Sequence, residues 1–249
     1  MSFNYDKIPE GFYDKIFDSA DGMRKFWHWH KFDSVVRSLD LKTSRTLLDV
    51  GCFSGTFTGK FVSSASTHAT GIDILPEQIN YAAQKYGSTE KTYLPISNFE
   101  DASTKLQGKT FDAVTFIEVI EHLTSEQIVS FFEMLDRVTH KGSEVVITTP
   151  NYLSVWPILE LLLNRFSDVK YEEQHITKFN ILNLQDKLAQ IYPQIWQKYD
   201  VSLKTTSHFI TPFIAAIDYD AAMALSAKVS PLNWRNPFGC IIILKLTKR

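Results

Sequence analysis

The chain has 249 residues, of which 44% are hydrophobic and 22% charged, and its net charge is −2. This is a globular composition, and the near-neutral charge disfavours a protein that holds nucleic acid mainly through phosphates. Two cysteines far apart in sequence make neither a disulfide framework nor a CxxC metal site, so we expect a cytoplasmic protein. The N-terminus has no apolar signal-peptide core, and the apolar runs are too short to span a bilayer, so no transmembrane segment is expected.

Residues 1–44 are predicted to be helical, because apolar residues recur at helical spacing at Phe26, Trp29, Val36 and Leu39. Short apolar runs then alternate with helical patterns. The predicted strands are 46–50, 69–74, 91–95, 111–117 and 144–149, and the predicted helices are 76–86 and 125–138. Helical patterns continue to residue 198, followed by a strand over 201–210, a helix over 214–229 and a strand over 240–246. This order predicts an α/β protein with a parallel sheet covered on both faces. No Gly/Ser-rich linker interrupts it, which favours one domain.

A glycine-containing turn follows the first predicted strand and leads into a helix, from Gly51 to Thr56. A small residue there lets a ligand approach the backbone closely. Asp73 ends the next strand, 22 residues after Gly51, a spacing that suits a carboxylate bound to two ribose hydroxyls. The pattern predicts a nucleoside-containing cofactor. Phe53 and Thr56 stand where a dinucleotide fingerprint needs glycine, and there is no Walker lysine, which argues against nicotinamide cofactors and P-loop nucleotides.

The segment LLDVGCFSG resembles the first motif of class I S-adenosylmethionine-dependent methyltransferases, D-x-G-x-G-x-G, with Phe53 at the middle glycine. The resemblance implies a Rossmann-like fold with a mostly parallel seven-stranded sheet and a helical insertion after strand 5. It also implies S-adenosyl-L-methionine as cofactor. In that reading Asp73 binds the ribose, Ile74 contacts adenine, and Asn98 and Phe99 lie near the adenine ring. The implied cofactor-binding residues are Asp49, Gly51, Cys52, Phe53, Gly55, Asp73, Ile74, Asn98, Phe99 and Glu118.

The segment EVIEHL resembles the fourth-strand motif of the small-molecule branch, including ubiquinone-type O-methyltransferases. On a helix, Glu118, Glu121 and His122 would share one face, and His175 could add a fourth ligand. Small-RNA 2′-O-methyltransferases hold a metal with such a set, whereas many relatives with this motif are metal-free. We expect no metal, with Glu118 at the cofactor and with Glu121 and His175 as catalytic residues. His175 is the candidate general base.

The predicted single domain has four parts: an N-terminal helical lid (1–44), a cofactor-binding core (45–150), a helical substrate-side insertion (151–200) and C-terminal strands with a helix (201–249). The lid and the insertion are rich in aromatic residues, which can build a stacking pocket. The expected reaction is methylation of a small-molecule acceptor, most simply the O-methylation of a sugar, a lipid-linked or a quinone-like metabolite. A metal-assisted RNA 2′-O-methyltransferase and a non-catalytic cofactor-binding scaffold stay open as alternatives.

Overall fold

Seven strands of the described residues form one sheet. They are β1 (Arg45–Val50), β2 (Thr67–Asp73), β3 (Lys91–Pro95), β4 (Phe111–Ile117), β5 (Thr139–Pro150), β6 (Tyr199–Thr205) and β7 (Ile241–Lys248). The computed structural model describes residues 8–19, 22–39, 45–63, 67–158, 175–206, 211–228 and 237–249. The strand order is β3-β2-β1-β4-β5-β7-β6, with β7 antiparallel to both of its neighbours and the other pairs parallel. The predicted fold class is confirmed.

The strands are nearly continuous apolar runs because both faces of the sheet are covered. In β7, Ile241 and Ile243 belong to the hydrophobic cluster on one face, whereas Ile242 and Leu244 belong to the cluster on the other. Successive side chains of a strand point to opposite faces, so alternate residues supply the two halves of the core.

The helices, like the strands, largely follow the predicted pattern. They are α1 (Phe12–Asp18), α2 (Gly22–Ser38), α3 (Pro76–Tyr86), α4 (Phe99–Lys105), α5 (Ser125–Val138), α6 (Leu184–Ile191), α7 (Ile195–Lys198), α8 (Thr211–Ile217) and α9 (Tyr219–Lys228). The helix predicted over 214–229 is in fact two helices. Asp218 separates them, because its carboxylate accepts the N–H of Ala221 (2.9 Å) and so caps the start of α9. The predictions also include residues that lie outside the described ones, namely 1–7, 20–21, 40–44, 64–66, 159–174, 207–210 and 229–236.

Helix α2 is buried on more of its surface than the apolar stripe predicted from the sequence would cover. Its buried residues form a nearly continuous run that includes Lys31, because the helix lies between the sheet and the pair formed by α8 and α9. No helix among the described residues is long and apolar enough to cross a membrane. The parallel strands β1, β2 and β4 end at the same edge of the sheet, and α1 and α2 lie next to that edge.

Candidate active site

A cleft of about 1540 Å³, its open mouth included, lies at the carboxyl ends of β1, β2 and β4. Residues from α1, α2, the β1 turn, the β4 turn and the segment after β5 line it together. The predicted site residues that line the cleft are Asp49, Gly51, Cys52, Phe53, Asp73, Ile74, Glu118, Glu121 and His175. Ligands of open α/β sheets bind at this edge, so the location agrees with the sequence prediction.

The turn after β1 is held in a strained conformation. Gly51 has φ +73°, and a Cβ there would lie 2.6 Å from Val119 Cγ2. Phe53, at the position of the missing glycine, also has a positive φ of +50°. A left-handed conformation costs a non-glycine residue roughly 1–2 kcal/mol, and such strain concentrates at functional sites. The Phe53 ring packs against Tyr13 of α1, with 5.4 Å between the ring centroids.

Asp73 stabilises this turn and also faces the cleft. Its Oδ2 accepts the N–H of Phe53 (2.8 Å), and its Oδ1 accepts the N–H of Leu75 (3.0 Å). Burial raises the pKa of Asp73 to about 6, and these backbone donors oppose the rise. Each carboxylate oxygen can accept a second hydrogen bond, so both can still bind hydroxyl groups of a ligand.

Asp49 lies at the bottom of the cleft and is almost fully buried. Its Oδ1 accepts a hydrogen bond from the Thr115 hydroxyl of β4 (2.7 Å). Burial raises the pKa of Asp49 to about 7; the Thr115 hydroxyl lowers it and the nearby charge of Asp73 raises it. The sequence motif therefore places two carboxylates with raised pKa values beside one ligand cleft.

Sequence reasoning missed a buried cation in the cleft, Lys31 of α2. Its Nζ lies 2.8 Å from Glu118 Oε2, and the side chains are 1% and 14% exposed. The ammonium also lies 4.9 Å from the centre of the Tyr13 ring. The other oxygen, Glu118 Oε1, is buried and has no hydrogen-bond partner among the described residues. One buried positive charge and one incompletely paired carboxylate therefore face the same space.

We expect Lys31→Met to lower the free energy of unfolding by about 2–3 kcal/mol, because the Glu118 carboxylate would stay buried without its counter-ion. Because Glu118 is partly exposed, the loss should be smaller than for a fully buried ion pair. Urea denaturation of the wild type and the variant measures this difference in the free energy of unfolding. The double variant Lys31→Met/Glu118→Gln should recover most of the loss, since it removes both charges. A loss below about 0.5 kcal/mol in the single variant would show that the pair contributes little.

Glu121 and His175 come together at the inner end of the cleft. Glu121 is fully buried, and neither carboxylate oxygen has a hydrogen-bond partner among the described residues. Burial raises the pKa of Glu121, and the negative charge of Glu118 raises it further, whereas His175 opposes the rise. Potential ligand atoms of Glu121, His122 and His175 all lie within 4.8 Å of one another.

The route to this arrangement differs from the prediction. Glu118, Glu121 and His122 do not share an α-helical face. Glu118 follows β4 with φ +52°, and a short 3₁₀ turn covers Ile120–His122. The N–H of Glu118 donates to the Thr148 carbonyl (3.1 Å) and Oγ1 (3.2 Å), which turns the chain away from a helix. His175 is docked on this turn because the Thr177 N–H donates to the Glu121 carbonyl (3.0 Å).

Three predicted residues are not among those that line the cleft. Gly55 has φ +70°, and a Cβ there would meet Ala82 and Tyr93, so packing explains this glycine. Asn98 caps α4 by accepting the N–H groups of Glu100 (3.0 Å) and Asp101 (2.9 Å). Phe99 packs in the core against Phe116 and Phe131. Their contact with a cofactor stays a prediction.

The sequence model of the mycolic acid cyclopropane synthetase family matches residues 17–155. The chain belongs to this family. By family it is a class I S-adenosylmethionine-dependent methyltransferase, and the cofactor of that family is S-adenosyl-L-methionine. The match extends from α1 through the turns after β1 and β4 to the residues just after β5, so it includes most of the cleft.

Relatives with different substrates are similar to parts of the chain. Norajmaline N-methyltransferase of Rauvolfia serpentina is 26% identical over 165 residues, 63% of this chain and 55% of that protein. A ubiquinone biosynthesis O-methyltransferase of Xanthomonas oryzae is 29% identical over 137 residues, 53% of this chain and 55% of that protein. The chain thus spans about half the length of these curated relatives.

A solved structure shows the same fold over almost the whole chain. Magnesium protoporphyrin IX methyltransferase of Synechocystis PCC 6803, with bound S-adenosylhomocysteine, has a TM-score of 0.59. The sequences are 14% identical, and the likeness covers 95% of this chain and 93% of that one. At this identity the likeness concerns the fold alone.

Proposed function

We propose that the protein transfers a methyl group from S-adenosylmethionine to a hydroxyl group of a small molecule, namely a sugar, a lipid-linked or a quinone-like metabolite. The main support is that a single cleft contains both the strand-edge residues Asp49 and Asp73 and the inner pair Glu121 and His175. The near-neutral net charge supports a small molecule over RNA. Two buried free thiols fit a reducing compartment, so the cytoplasm is part of the proposal.

The charges of the cleft suit the cofactor. Asp73 retains lone pairs for the two ribose hydroxyls, and Ile74, 53% exposed at the rim, offers an apolar surface for adenine. Lys31 suits the methionine carboxylate, and the unpartnered Oε1 of Glu118 suits its ammonium group. Gly51, Cys52 and Phe53 would contact the methionine portion from the turn.

When bound, S-adenosylmethionine supplies an electrophilic methyl group on a sulfonium. The remaining task of the protein is alignment of the acceptor oxygen and removal of its proton. His175 takes that proton as the oxygen–carbon bond forms, and the nearby Glu121 carboxylate favours the resulting imidazolium. The carbon–sulfur bond breaks with its electron pair on sulfur, so no other group has to be reduced or oxidised.

The acceptor side of the cleft belongs to the proposed lid (1–44) and the proposed substrate-side insertion (151–200). Trp27 of α2 and Trp156 stack with their ring centroids 4.8 Å apart, and both line the cleft. The indole N–H of Trp156 is buried and has no hydrogen-bond partner among the described residues. An acceptor with a flat ring and a polar substituent would suit such a wall.

The test is a transfer assay with methyl-labelled S-adenosylmethionine and a panel of catechols, sugars, amines and a short RNA. We expect label in hydroxyl-bearing small molecules and none in the amines or the RNA. Label only in amines or RNA would reject the proposed acceptor class. Binding of S-adenosylhomocysteine without any transfer across a broad panel would favour the scaffold alternative.

A second candidate is metal-assisted transfer, favoured by the closeness of Glu121, His122 and His175 and by the unpartnered Glu121 oxygens. Two imidazoles and a carboxylate are common ligands of divalent metals. A metal that used the basic nitrogen of His175 would prevent it from accepting a proton. The two candidates therefore predict opposite effects of metal removal.

We expect the enzyme to keep its full rate after dialysis against EDTA, because a histidine base needs no metal. The measurement is the initial rate of methyl transfer before and after dialysis, with metal content checked by mass spectrometry. A rate that falls at least tenfold and returns with Mg²⁺ or Mn²⁺ would establish the metal-assisted candidate instead.

A further inference from the structure

Tyr152 is not among the predicted site residues, and it contacts His175 directly. Its hydroxyl oxygen is 2.5 Å from His175 Nδ1. The two rings meet edge to face with 6.0 Å between their centroids, and the centroid of the His122 ring lies 5.0 Å from that of His175. A contact this short fixes both the direction of the imidazole and the nitrogen that can face the cleft.

The backbone around Tyr152 is well anchored. Its N–H donates to the Phe179 carbonyl (3.0 Å), which joins the end of β5 to the segment that carries His175. The side chain of Asn151 is itself tied down, since its Nδ2 donates to the carbonyl groups of Pro237 and Gly239 (2.8 Å each). Tyr152 and His175 therefore meet between two segments whose positions are set by backbone hydrogen bonds.

We propose that Tyr152 is a positioning residue that holds neutral His175 in the tautomer protonated at Nδ1. In that state the Nδ1–H donates to the Tyr152 oxygen, and Nε2 carries the lone pair that takes up the acceptor proton. The opposite tautomer, with the proton on Nε2, would leave no basic nitrogen for the cleft. Among the described residues, the groups around the imidazole include Tyr152, Glu121, His122 and Trp156, and the Lys178 ammonium lies over the Tyr152 ring.

The inference deepens the proposed function and rests on it only for the rate, because the tautomer can be measured without an acceptor. The experiment is a long-range proton–nitrogen correlation spectrum of the full chain with nitrogen-15 histidine, recorded at a pH where the imidazoles are neutral. The His175 signals are assigned with His175→Gln. We expect the wild type to show protonated Nδ1 and unprotonated Nε2, whereas Tyr152→Phe should move His175 toward the Nε2-protonated form that prevails in water.

The matched control is Tyr192→Phe, which removes a tyrosine hydroxyl bonded to Asp136 (3.0 Å) and outside the residues that line the cleft. It should leave the His175 signals unchanged. An Nε2-protonated His175 in the wild type, or the same tautomer in wild type and Tyr152→Phe, would overturn the proposal.

A rate measurement separates this inference from the proposed function. With an acceptor that the transfer assay identifies, Tyr152→Phe should lower kcat about tenfold or more and leave the KM for S-adenosylmethionine unchanged. An unchanged kcat would overturn the positioning role. If no hydroxyl acceptor exists but the tautomer responds as expected, the proposed function fails and the tautomer assignment stands.

Discussion

We expect Asp73→Ala to weaken the binding of S-adenosylhomocysteine by about 100-fold or more. The carboxylate would lose two hydrogen bonds to ribose hydroxyls, and hydrogen bonds to charged groups contribute about 1.5–3 kcal/mol each. The N–H groups of Phe53 and Leu75 would lose their acceptor as well. Isothermal titration calorimetry on the wild type and the variant measures the change.

The matched control is Asp112→Ala. Asp112 also accepts a backbone N–H, that of Thr46 (2.8 Å), but it lies at the start of β4, at the opposite end of the strands from the cleft. The control should bind S-adenosylhomocysteine like the wild type. Equal losses in the two variants would indicate a general effect on folding, and an unchanged affinity in Asp73→Ala would remove Asp73 from the cofactor site.

The raised pKa of Asp73 adds a pH dependence with a definite sign. Above a pH of about 6 the carboxylate is ionised and accepts the hydroxyl hydrogen bonds; below it the group is protonated. The affinity should therefore fall by about tenfold per pH unit as the pH drops below that value, because binding must then release one proton. The same titration on Asp73→Asn should lack this slope.

The sheet and several helices could be predicted because their signals are local. The run Ile241–Leu244 is apolar throughout, as expected for a strand covered on both faces, and its side chains alternate between the two hydrophobic clusters. Helix α3 begins at Pro76, as the sequence indicates. The early start of β5 was missed. Thr139 pairs with Phe111 across a register shift, and such a partner is invisible in the strand's own pattern.

Lys31 could not be found from local spacing. A lysine within a helix normally faces solvent, and its partner Glu118 is 87 residues away. The available signal was its neighbourhood, since Trp27, Phe32 and Val35 surround it on a helix with buried residues on most sides. In such a helix a charged residue needs a partner, and that argument predicts an ion pair without naming its other half.

Asn98 is the opposite case. The sequence around it contained a local signal for a helix cap, but the resemblance to class I methyltransferases led to a predicted contact with adenine instead. An asparagine followed by acidic residues in the next positions is typical of a helix start. The structure has that cap, whereas the resemblance implied a contact with adenine. The shared helical face considered for Glu118, Glu121 and His122 was also a local argument, whereas the positive φ of Glu118 depends on Thr148 of a neighbouring strand.

If His175 is the general base, as we propose, His175→Gln should lower kcat by about 100-fold or more. Glutamine can still form a hydrogen bond with Tyr152, but its amide does not accept a proton at neutral pH. The dissociation constant of S-adenosylhomocysteine should stay within about twofold of the wild-type value, because the ribose and methionine partners are unchanged. Rapid-quench assays with labelled cofactor measure the step.

Two comparisons separate a base from a residue that only shapes the cleft. His140→Gln alters an exposed histidine paired with Asp112, outside the residues that line the cleft, and should leave kcat unchanged. Acceptors that are already ionised at the assay pH, such as nitro-substituted phenols, need no base. For them the loss in His175→Gln should shrink toward zero, whereas a shape defect would reduce the rate of neutral and ionised acceptors alike.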